Sequence, residues 1–157
     1  MIDINVFSEE KAWSKRLKNK SFFFNSICTA FPKKYKFENK KVSFSLLLSN
    51  NKNIKKLNKF FRNKNKPTDV LSFPTSKKIK LTREIYIGDI IISLNFINEP
   101  KSQSSKFFKE KLIKTFIHGF LHLLNFDHKK DKDYAKMLKE ENRIYQSVIS
   151  KIKKIGQ

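Results

Sequence analysis

Apolar residues follow two different periods along the chain, and the order in which these patterns occur limits the folds open to it. Alternating or β-rich runs predict four strands, at residues 2–6, 42–49, 68–73 and 86–94. Helical spacing predicts four helices, at residues 9–31, 50–62, 103–124 and 131–155. The order βα, βα, ββ, αα predicts an α+β fold with a roughly four-stranded mixed sheet packed by helices, and residues 75–83 as a polar, exposed connection.

Length and composition predict one globular unit. At 157 residues the chain can bury a core but is short for two, so we expect a single domain over residues 1–157. A hydrophobic content of 39%, including 16 phenylalanines, argues against disorder. The one cysteine, Cys28, cannot form an intramolecular disulfide, and no apolar run is long enough for a spanning helix. We therefore expect a soluble, cytoplasmic protein without membrane contact and leave its oligomeric state open.

Positive charge dominates the sequence, because 35 Lys and Arg against 14 Asp and Glu give a formal net charge of +21. Such a field favours a polyanionic partner such as nucleic acid or anionic lipid. Lysine is spread over every segment, however, and Asn, Ile and Phe are also abundant, which AT-rich coding would produce without selection for binding. Charge alone leaves nucleic-acid binding open, because a dispersed field is a weaker indication than a basic patch on one face.

All three histidines lie within residues 118–128, at the end of the long helix predicted in the C-terminal half. One polar stripe on this otherwise apolar helix is formed by Lys111, Thr115, His118 and His122. Four residues apart on one face, His118 and His122 can reach a single metal ion. This helix is therefore the predicted position of a metal site.

The residues after this helix predict a third ligand. Asn125 falls where the helix should stop, and Asn tolerates the left-handed conformation that turns the chain back. That turn would bring His128 beside the other two histidines. Three neutral imidazoles suit Zn²⁺ or a similar divalent ion and leave a fourth position for water, as in a catalytic site. Asp127 and Asp131 are predicted to accept hydrogen bonds from the imidazoles and so orient them.

Other interpretations of these residues limit the chemistry. A histidine pair on an apolar helix is more often part of a core than a ligand pair, so the metal prediction depends on the third histidine. In the helical motif of zinc proteases a Glu follows the first His as general base, whereas Gly119 stands here, which disfavours peptide hydrolysis. Cys28 lies in an apolar stretch with no histidine nearby in sequence, so we expect an inert core residue.

The histidine block and two further blocks resemble the signatures of the YbeY endoribonucleases, also called rRNA maturation factors. HGFLHLLNFDH (residues 118–128) is similar to that family's metal-binding pattern H-G-x-L-H-L-x-G-Y-D-H. LNKFFRNKNKPTDVLSFP (residues 57–74) and IGDIIIS (residues 87–93) match its other signatures in the expected order. Asn125 stands where the family has Gly, and Phe126 where it has Tyr, which removes a hydroxyl.

The resemblance implies a single metal-dependent endoribonuclease domain that cleaves single-stranded RNA. It implies one zinc ion per chain, or another divalent metal, held by His118, His122 and His128. It also implies a functional role for Arg62, which matches the family's arginine. Processing of the 3′ end of small-subunit ribosomal RNA and ribosome quality control are the implied tasks, with RNA and the small ribosomal subunit as partners.

Arg62 would hold a phosphate with its planar fork and offset the charge that develops during phosphodiester cleavage. Without the resemblance, a solvated charge in a basic loop would be the simpler interpretation. Asp69 and Asp89 lie next to predicted strands and could position the site, with capping or turn roles as the alternative; the general base is left unassigned. Two other functions remain open: a basic ribosome- or RNA-binding module whose metal is structural, and a metal-dependent hydrolase of another phosphoester or amide.

Overall fold

A computed structural model of the chain describes residues 1–75 and 84–152. In these residues the elements are β1 (Ile2–Ser8), α1 (Trp13–Arg16), α2 (Lys20–Thr29), β2 (Lys41–Ser49), α3 (Asn51–Arg62), β3 (Val70–Pro74), β4 (Glu84–Ser93), α4 (Leu94–Ile97), α5 (Ser105–Leu123) and α6 (Asp131–Lys151), with a turn of 3-10 helix at Lys33–Tyr35. Nearly all of the predicted connection at residues 75–83, and residues 153–155 of the last predicted helix, lie outside the described residues. Within those ranges no helix has the length and apolar character needed to cross a bilayer.

The four strands form one mixed sheet in the order β1-β2-β4-β3. β1 pairs with β2 and β2 with β4 in parallel, while β3 pairs with β4 in antiparallel orientation and forms an edge. The register places Ile4 opposite Phe44, and Leu46 opposite Ile90. The predicted α+β class, with a mixed four-stranded sheet packed by helices, is confirmed.

Helices cover both faces of the sheet. On one face, α2, α5 and α6 bury the main core, in which the ring of Phe44 lies 6.0 Å from that of Phe116 and 5.7 Å from that of Phe120. On the other face, α3 covers a small cluster formed by Ile54, Leu71 and Ile91. Burial of these apolar side chains on two sides of one sheet is the main term that stabilises the fold. Both α3 and α5 therefore reach the edge strand β3, from opposite faces.

The prediction of one helix over residues 9–31 is wrong. The segment divides into α1 and α2, because Leu17 is extended (φ −143°, ψ 100°) and buried. Asn19 then begins a new helix, since its side chain accepts the backbone N–H of Phe22. Trp13 is fixed in α1 by burial and by its Nε1–H, which donates to Ser49 O at 2.9 Å. The N-cap at Asn19 and the buried side chains of Trp13 and Leu17 thus interrupt a helical pattern that looks continuous in sequence.

Cys28 lies on α2 inside the main core and is only 5% exposed. Desolvation by burial raises the pKa of its thiol to about 12, so the reactive thiolate does not form at neutral pH. The structure therefore confirms Cys28 as an inert core residue.

Candidate metal centre

The C-terminal half of α5 presents two histidines side by side because its other faces are buried. His118 and His122 remain half-buried on the polar stripe. The side chains that flank them in sequence and lie fully in the core are Phe116, Ile117, Phe120 and Leu121. Burial of these neighbours fixes the rotation of the helix, and with it the direction of both imidazoles.

The chain turns back directly after α5, as the sequence predicts. Asn125 has φ 67°, in the left-handed region that Asn tolerates. The N–H of Phe126 donates to Leu121 O at 3.1 Å, which satisfies one of the last carbonyls of the helix. This turn brings the exposed His128 back to the helix, where its ring centroid lies 5.4 Å or less from those of the other two imidazoles.

The three imidazoles converge on one point. One ring nitrogen from each of His118, His122 and His128 lies within 4.8 Å of the others. The Nε2 atoms of His118 and His122 are 3.0 Å apart. Two ligands bound at 2.0–2.1 Å in a tetrahedral zinc site are roughly 3.3 Å apart, so this pair already has nearly the spacing of ligands. The predicted cluster is therefore present, and its geometry could hold a metal ion.

Hydrogen bonds determine which ring nitrogens face the centre. Nδ1 of His118 lies 2.5 Å from Glu141 Oε1, and Nδ1 of His122 lies 2.9 Å from Phe126 O. A carboxylate and a carbonyl only accept, so each Nδ1 carries the proton and each Nε2 directs a lone pair inward. Two lone pairs 3.0 Å apart repel one another unless a cation lies against both. This donor set fits a divalent metal ion.

Burial and neighbouring charge favour the neutral form of His122. Desolvation lowers the pKa of this imidazole below its ordinary value, and the repulsion that a protonated His122 would meet from His118, His128 and Arg62 lowers it further. The Phe126 carbonyl, which accepts the Nδ1 hydrogen bond, opposes the shift in part. Because a neutral imidazole is the form that binds metal, this environment favours ligation at neutral pH.

Arg62 lies on the helix that covers the other face of the sheet. It is exposed in the last turn of α3, which ends where Asn63 adopts φ 55°. The adjacent Phe61 packs on Phe73 of the edge strand, with ring centroids 4.9 Å apart. The charge of Arg62 acts on His122 around this edge. The structure thus brings the three histidines together, and Arg62 is near enough for its charge to act on one of them.

Glu141 is the carboxylate that orients an imidazole, and sequence reasoning missed it. It lies on α6, and only the packing of α6 against α5 brings it to His118, so no local spacing signals the contact. The residues predicted for this role lie elsewhere: Asp127 accepts the backbone N–H of His128 at 2.7 Å, and Asp131 lies in the first turn of α6. The prediction that a carboxylate contacts an imidazole is therefore correct, but the choice of Asp127 and Asp131 for that contact was wrong.

Asp69 and Asp89 accept local hydrogen bonds, in keeping with the capping or turn roles that were the alternative to positioning the site. Asp69 Oδ1 accepts the backbone N–H of Val70 at 2.8 Å, at the start of β3. Asp89 accepts a hydrogen bond from the hydroxyl of Tyr86 on the same strand. Both carboxylates therefore support turns and strands beside the site.

Two glycines allow close contacts beside the histidines, one between β4 and β3 and the other between α5 and the sheet. Gly88 has φ 136° at a bulge in β4, and a Cβ there would collide with the carbonyl oxygen of Phe73. Gly119 faces the sheet, and a Cβ there would lie 3.0 Å from Ile90 Cγ2. The position that holds the general base of zinc proteases is filled here by a helix–sheet contact, so no Glu could occupy it.

An open cleft of about 1330 Å³ begins one helical turn from the histidines. Lys111 and Thr115 of the polar stripe line it, together with Asp69 and the residues that follow β1, β2 and β4. It therefore lies at the carboxyl ends of the parallel strands, a common binding position in open sheets. The polar stripe connects this space to the histidine cluster.

Known proteins resemble this chain in sequence and in structure. A family model described as Endoribonuclease YbeY matches residues 5–149. A Pelagibacter ubique (strain HTCC1062) protein named Endoribonuclease YbeY is 59% identical over 152 residues, which cover 97% of this chain and 99% of that protein. A protein of the same name from Ehrlichia canis (strain Jake) is 38% identical over 134 residues, or 85% and 83% of the two chains. A solution structure of a Thermotoga maritima protein matches with a TM-score of 0.54 and 26% identity, over 96% of this chain and 92% of that one.

Proposed function

The chain belongs to the YbeY endoribonuclease family, and from that membership we propose that it is a metal-dependent endoribonuclease acting on single-stranded RNA. The observation that carries the proposal is the convergence of three imidazole nitrogens within 4.8 Å of one another. Residues 1–157 would act as the one domain that contains this site. The match to the Pelagibacter ubique relative runs over 97% of this chain, which supports one domain over this stretch.

We assign His118, His122 and His128 as the ligands of one divalent ion per chain, with zinc as the first candidate and other divalent metals as alternatives. Three nitrogen ligands and no thiolate are compatible with zinc and leave a coordination position open. A bound ion would supply Lewis acidity and a water of lowered pKa. Glu141 and the Phe126 carbonyl would hold two of the imidazoles in the orientation that this requires.

Arg62 is the proposed phosphate-binding residue at the cleaved bond. Its guanidinium can grip two phosphate oxygens at once and stabilise the charge that develops on them. Its exposure at the end of α3 supports this role, because a phosphate can approach it from solvent. Its position beside Phe61, which packs on the edge strand β3, places it at the edge of the sheet that α5 also contacts.

Ribosomal RNA is the proposed substrate, and maturation of the 3′ end of small-subunit rRNA and ribosome quality control are the proposed tasks. The three signature blocks shared with the family support this assignment, and the net charge of +21 favours any RNA partner. RNA and the small ribosomal subunit would be the partners, and the cytoplasm the location.

The test is cleavage of ribosomal RNA fragments by the metal-loaded chain. Wild type, His118→Ala, Arg62→Ala and Arg62→Lys are compared with and without chelator, after circular dichroism has shown each variant folded. We expect cleavage by loaded wild type, none after chelation or in His118→Ala, and a rate at least about 100-fold lower in Arg62→Ala. Arg62→Lys should recover only part of that rate, because lysine keeps the charge but loses the fork.

Equal cleavage by all samples would contradict the proposal, since neither the metal nor the named residues would matter. RNA binding without cleavage in every sample would instead identify a binding module whose metal is structural. Cleavage of small phosphoesters or amides but not RNA would identify a hydrolase of another substrate.

A further inference from the structure

Helix α3 carries a basic face, and the proposed reaction uses only Arg62 from it. Its cations, all exposed, are Lys52, Lys55, Lys56, Lys59 and Arg62, and it contains no acidic residue. At about 100° per residue, they fall within an arc of about 120° on the side opposite the buried Ile54. Throughout residues 1–75 and 84–152, no carboxylate lies within salt-bridge distance of these lysines.

This face is electrostatically unfavourable for an isolated helix. Lys52 and Lys56, like Lys55 and Lys59, are four residues apart, and like charges at that spacing lower helix stability. The following residues 63–68 add two lysines and no acid. In α6, by contrast, the cations alternate with four acidic residues. A polyanion lying along α3 would relieve the repulsion that the helix otherwise carries.

Two exposed phenylalanines stand beside Arg62 in the last turn of α3. Phe60 is 81% exposed and Phe61 58% exposed. Their ring centroids are 4.8 Å apart, and that of Phe61 is 4.9 Å from the ring of Phe73, so the rings form a ladder from the edge strand out to solvent. Exposed aromatic rings among cations are what single-stranded nucleic acids use for base stacking.

We propose that the α3 surface, defined as the basic face of α3 with the rings of Phe60 and Phe61, binds the single-stranded RNA that flanks the cleaved bond. The lysines contact phosphates, Phe60 stacks on a base, and Arg62 leads the strand to the histidines. A duplex does not fit this surface, because its bases are already stacked and cannot reach the ring. The inference rests on the proposed function for the identity of the ligand and adds where that strand lies.

The first test measures stacking on Phe60. A fluorescently labelled single-stranded RNA is titrated with full-length protein carrying His118→Ala, so that the strand stays intact, in combination with Phe60→Ala, Phe60→Leu or Phe60→Trp. The matched control is Phe22→Ala, since Phe22 is 70% exposed on α2 at the other face of the sheet. We expect Phe60→Ala and Phe60→Leu to weaken binding at least about fivefold, Phe60→Trp to retain it, and Phe22→Ala to change it less than about twofold. Unchanged binding by Phe60→Leu would overturn the stacking role.

The second test measures the phosphate contacts. The double variant Lys55→Gln, Lys59→Gln is compared with Lys18→Gln, Lys33→Gln, an exposed pair in the connections before and after α2. For single strands, each phosphate contact contributes about 0.7 to the slope of log K against log salt concentration, so the α3 pair should make the slope shallower by about 1.4. The control pair should leave it unchanged. Equal changes in both pairs would overturn the proposal, because the field of the whole molecule would then hold the strand.

Cleavage of the same RNA by chains that retain His118 separates this inference from the proposed function. If wild type does not cleave but the α3 variants bind more weakly, the proposed function fails and the α3 surface stands. If wild type cleaves and the α3 variants bind as tightly as their controls, the α3 surface is wrong and the proposed function stands.

Discussion

At the scale of single residues, the candidate site depends on contacts that orient the imidazoles. The hydrogen bond to His122 Nδ1 comes from the main-chain carbonyl of Phe126 and not from the Phe126 side chain. The replacement of the family's Tyr by Phe therefore leaves this hydrogen bond intact. Asn125 adopts the left-handed conformation that the family's Gly would adopt freely. Both departures from the family pattern therefore fall where the backbone makes the contribution.

Glu141 is predicted to strengthen metal binding without contacting the metal. Replacing it by Ala or Gln removes the charged acceptor of the His118 Nδ1 proton, and loss of such a partner typically costs about 10–100-fold in metal affinity. Competition with a chromophoric zinc chelator measures the change, and Glu38→Ala, at an exposed and remote carboxylate, is the control. Equal zinc affinities for the Glu141 variants and wild type would show that the contact has no orienting role.

Gly88 is predicted to be required by the bulge in β4. Gly88→Ala places a Cβ against the Phe73 carbonyl at φ 136°, which should lower the free energy of unfolding by about 2–4 kcal/mol. Gly119→Ala is the matched comparison, because its nearest contacts are side-chain atoms at 3.0–3.2 Å that can shift, and its loss should be smaller. Urea unfolding measures both. A larger loss at Gly119 would contradict the importance assigned to the bulge.

At the scale of elements, periodicity and local turn chemistry predicted most of the architecture. Alternating and β-rich apolar runs located all four strands, and the left-handed preference of Asn125 correctly predicted the turn that returns His128. The break between α1 and α2 was missed because the burial of Trp13 and Leu17 depends on contacts with the sheet. Glu141 was missed for the same reason: its approach to His118 arises only when two helices pack.

The packing of α6 includes a nearly buried carboxylate whose environment makes it pH-sensitive. Glu140 is 7% exposed and accepts a hydrogen bond from the Tyr35 hydroxyl, with Lys34 at 3.5 Å and Arg143 at 3.6 Å. Burial alone raises the pKa of Glu140, but these three partners outweigh it, so the pKa lies below its ordinary value. The contact therefore stabilises the fold above the unfolded-state pKa of about 4.3, and this contribution is lost as the pH falls through the folded-state pKa.

Glu140→Gln is predicted to lower the free energy of unfolding at pH 7 by roughly 1–3 kcal/mol, because a charged hydrogen-bond network loses its centre. The difference from wild type should shrink as the pH falls below the unfolded-state pKa of about 4.3, because the unfolded wild-type chain then takes up a proton that the folded Glu140 does not. Urea titrations at pH 7, 5, 4 and 3 measure it, with Tyr35→Phe as a variant that removes only the neutral donor. A difference that stays constant across this range would contradict the lowered pKa.

At the scale of the whole molecule, the fold brings together residues that are far apart in sequence. His118 and His122 could be paired from their spacing alone, whereas Arg62 was recognised only through the family resemblance, since no pattern in a lysine-rich segment marks one cation. The elements that carry them share the sheet edge at β3, because α3 and α5 reach it from opposite faces. The net charge of +21 appeared dispersed in sequence, but folding places part of it on one side of α3.

The central claim is that one metal ion, held by the three histidines, is needed for RNA cleavage. Its most direct test is the cleavage rate of a single-stranded ribosomal RNA fragment while metal-free protein is titrated with Zn²⁺. The rate should rise from near zero in proportion to added metal and reach a plateau at about one equivalent per chain, the occupancy of a single three-histidine site. A rate that is already maximal in the metal-free chain, and that does not change on titration, would contradict the account.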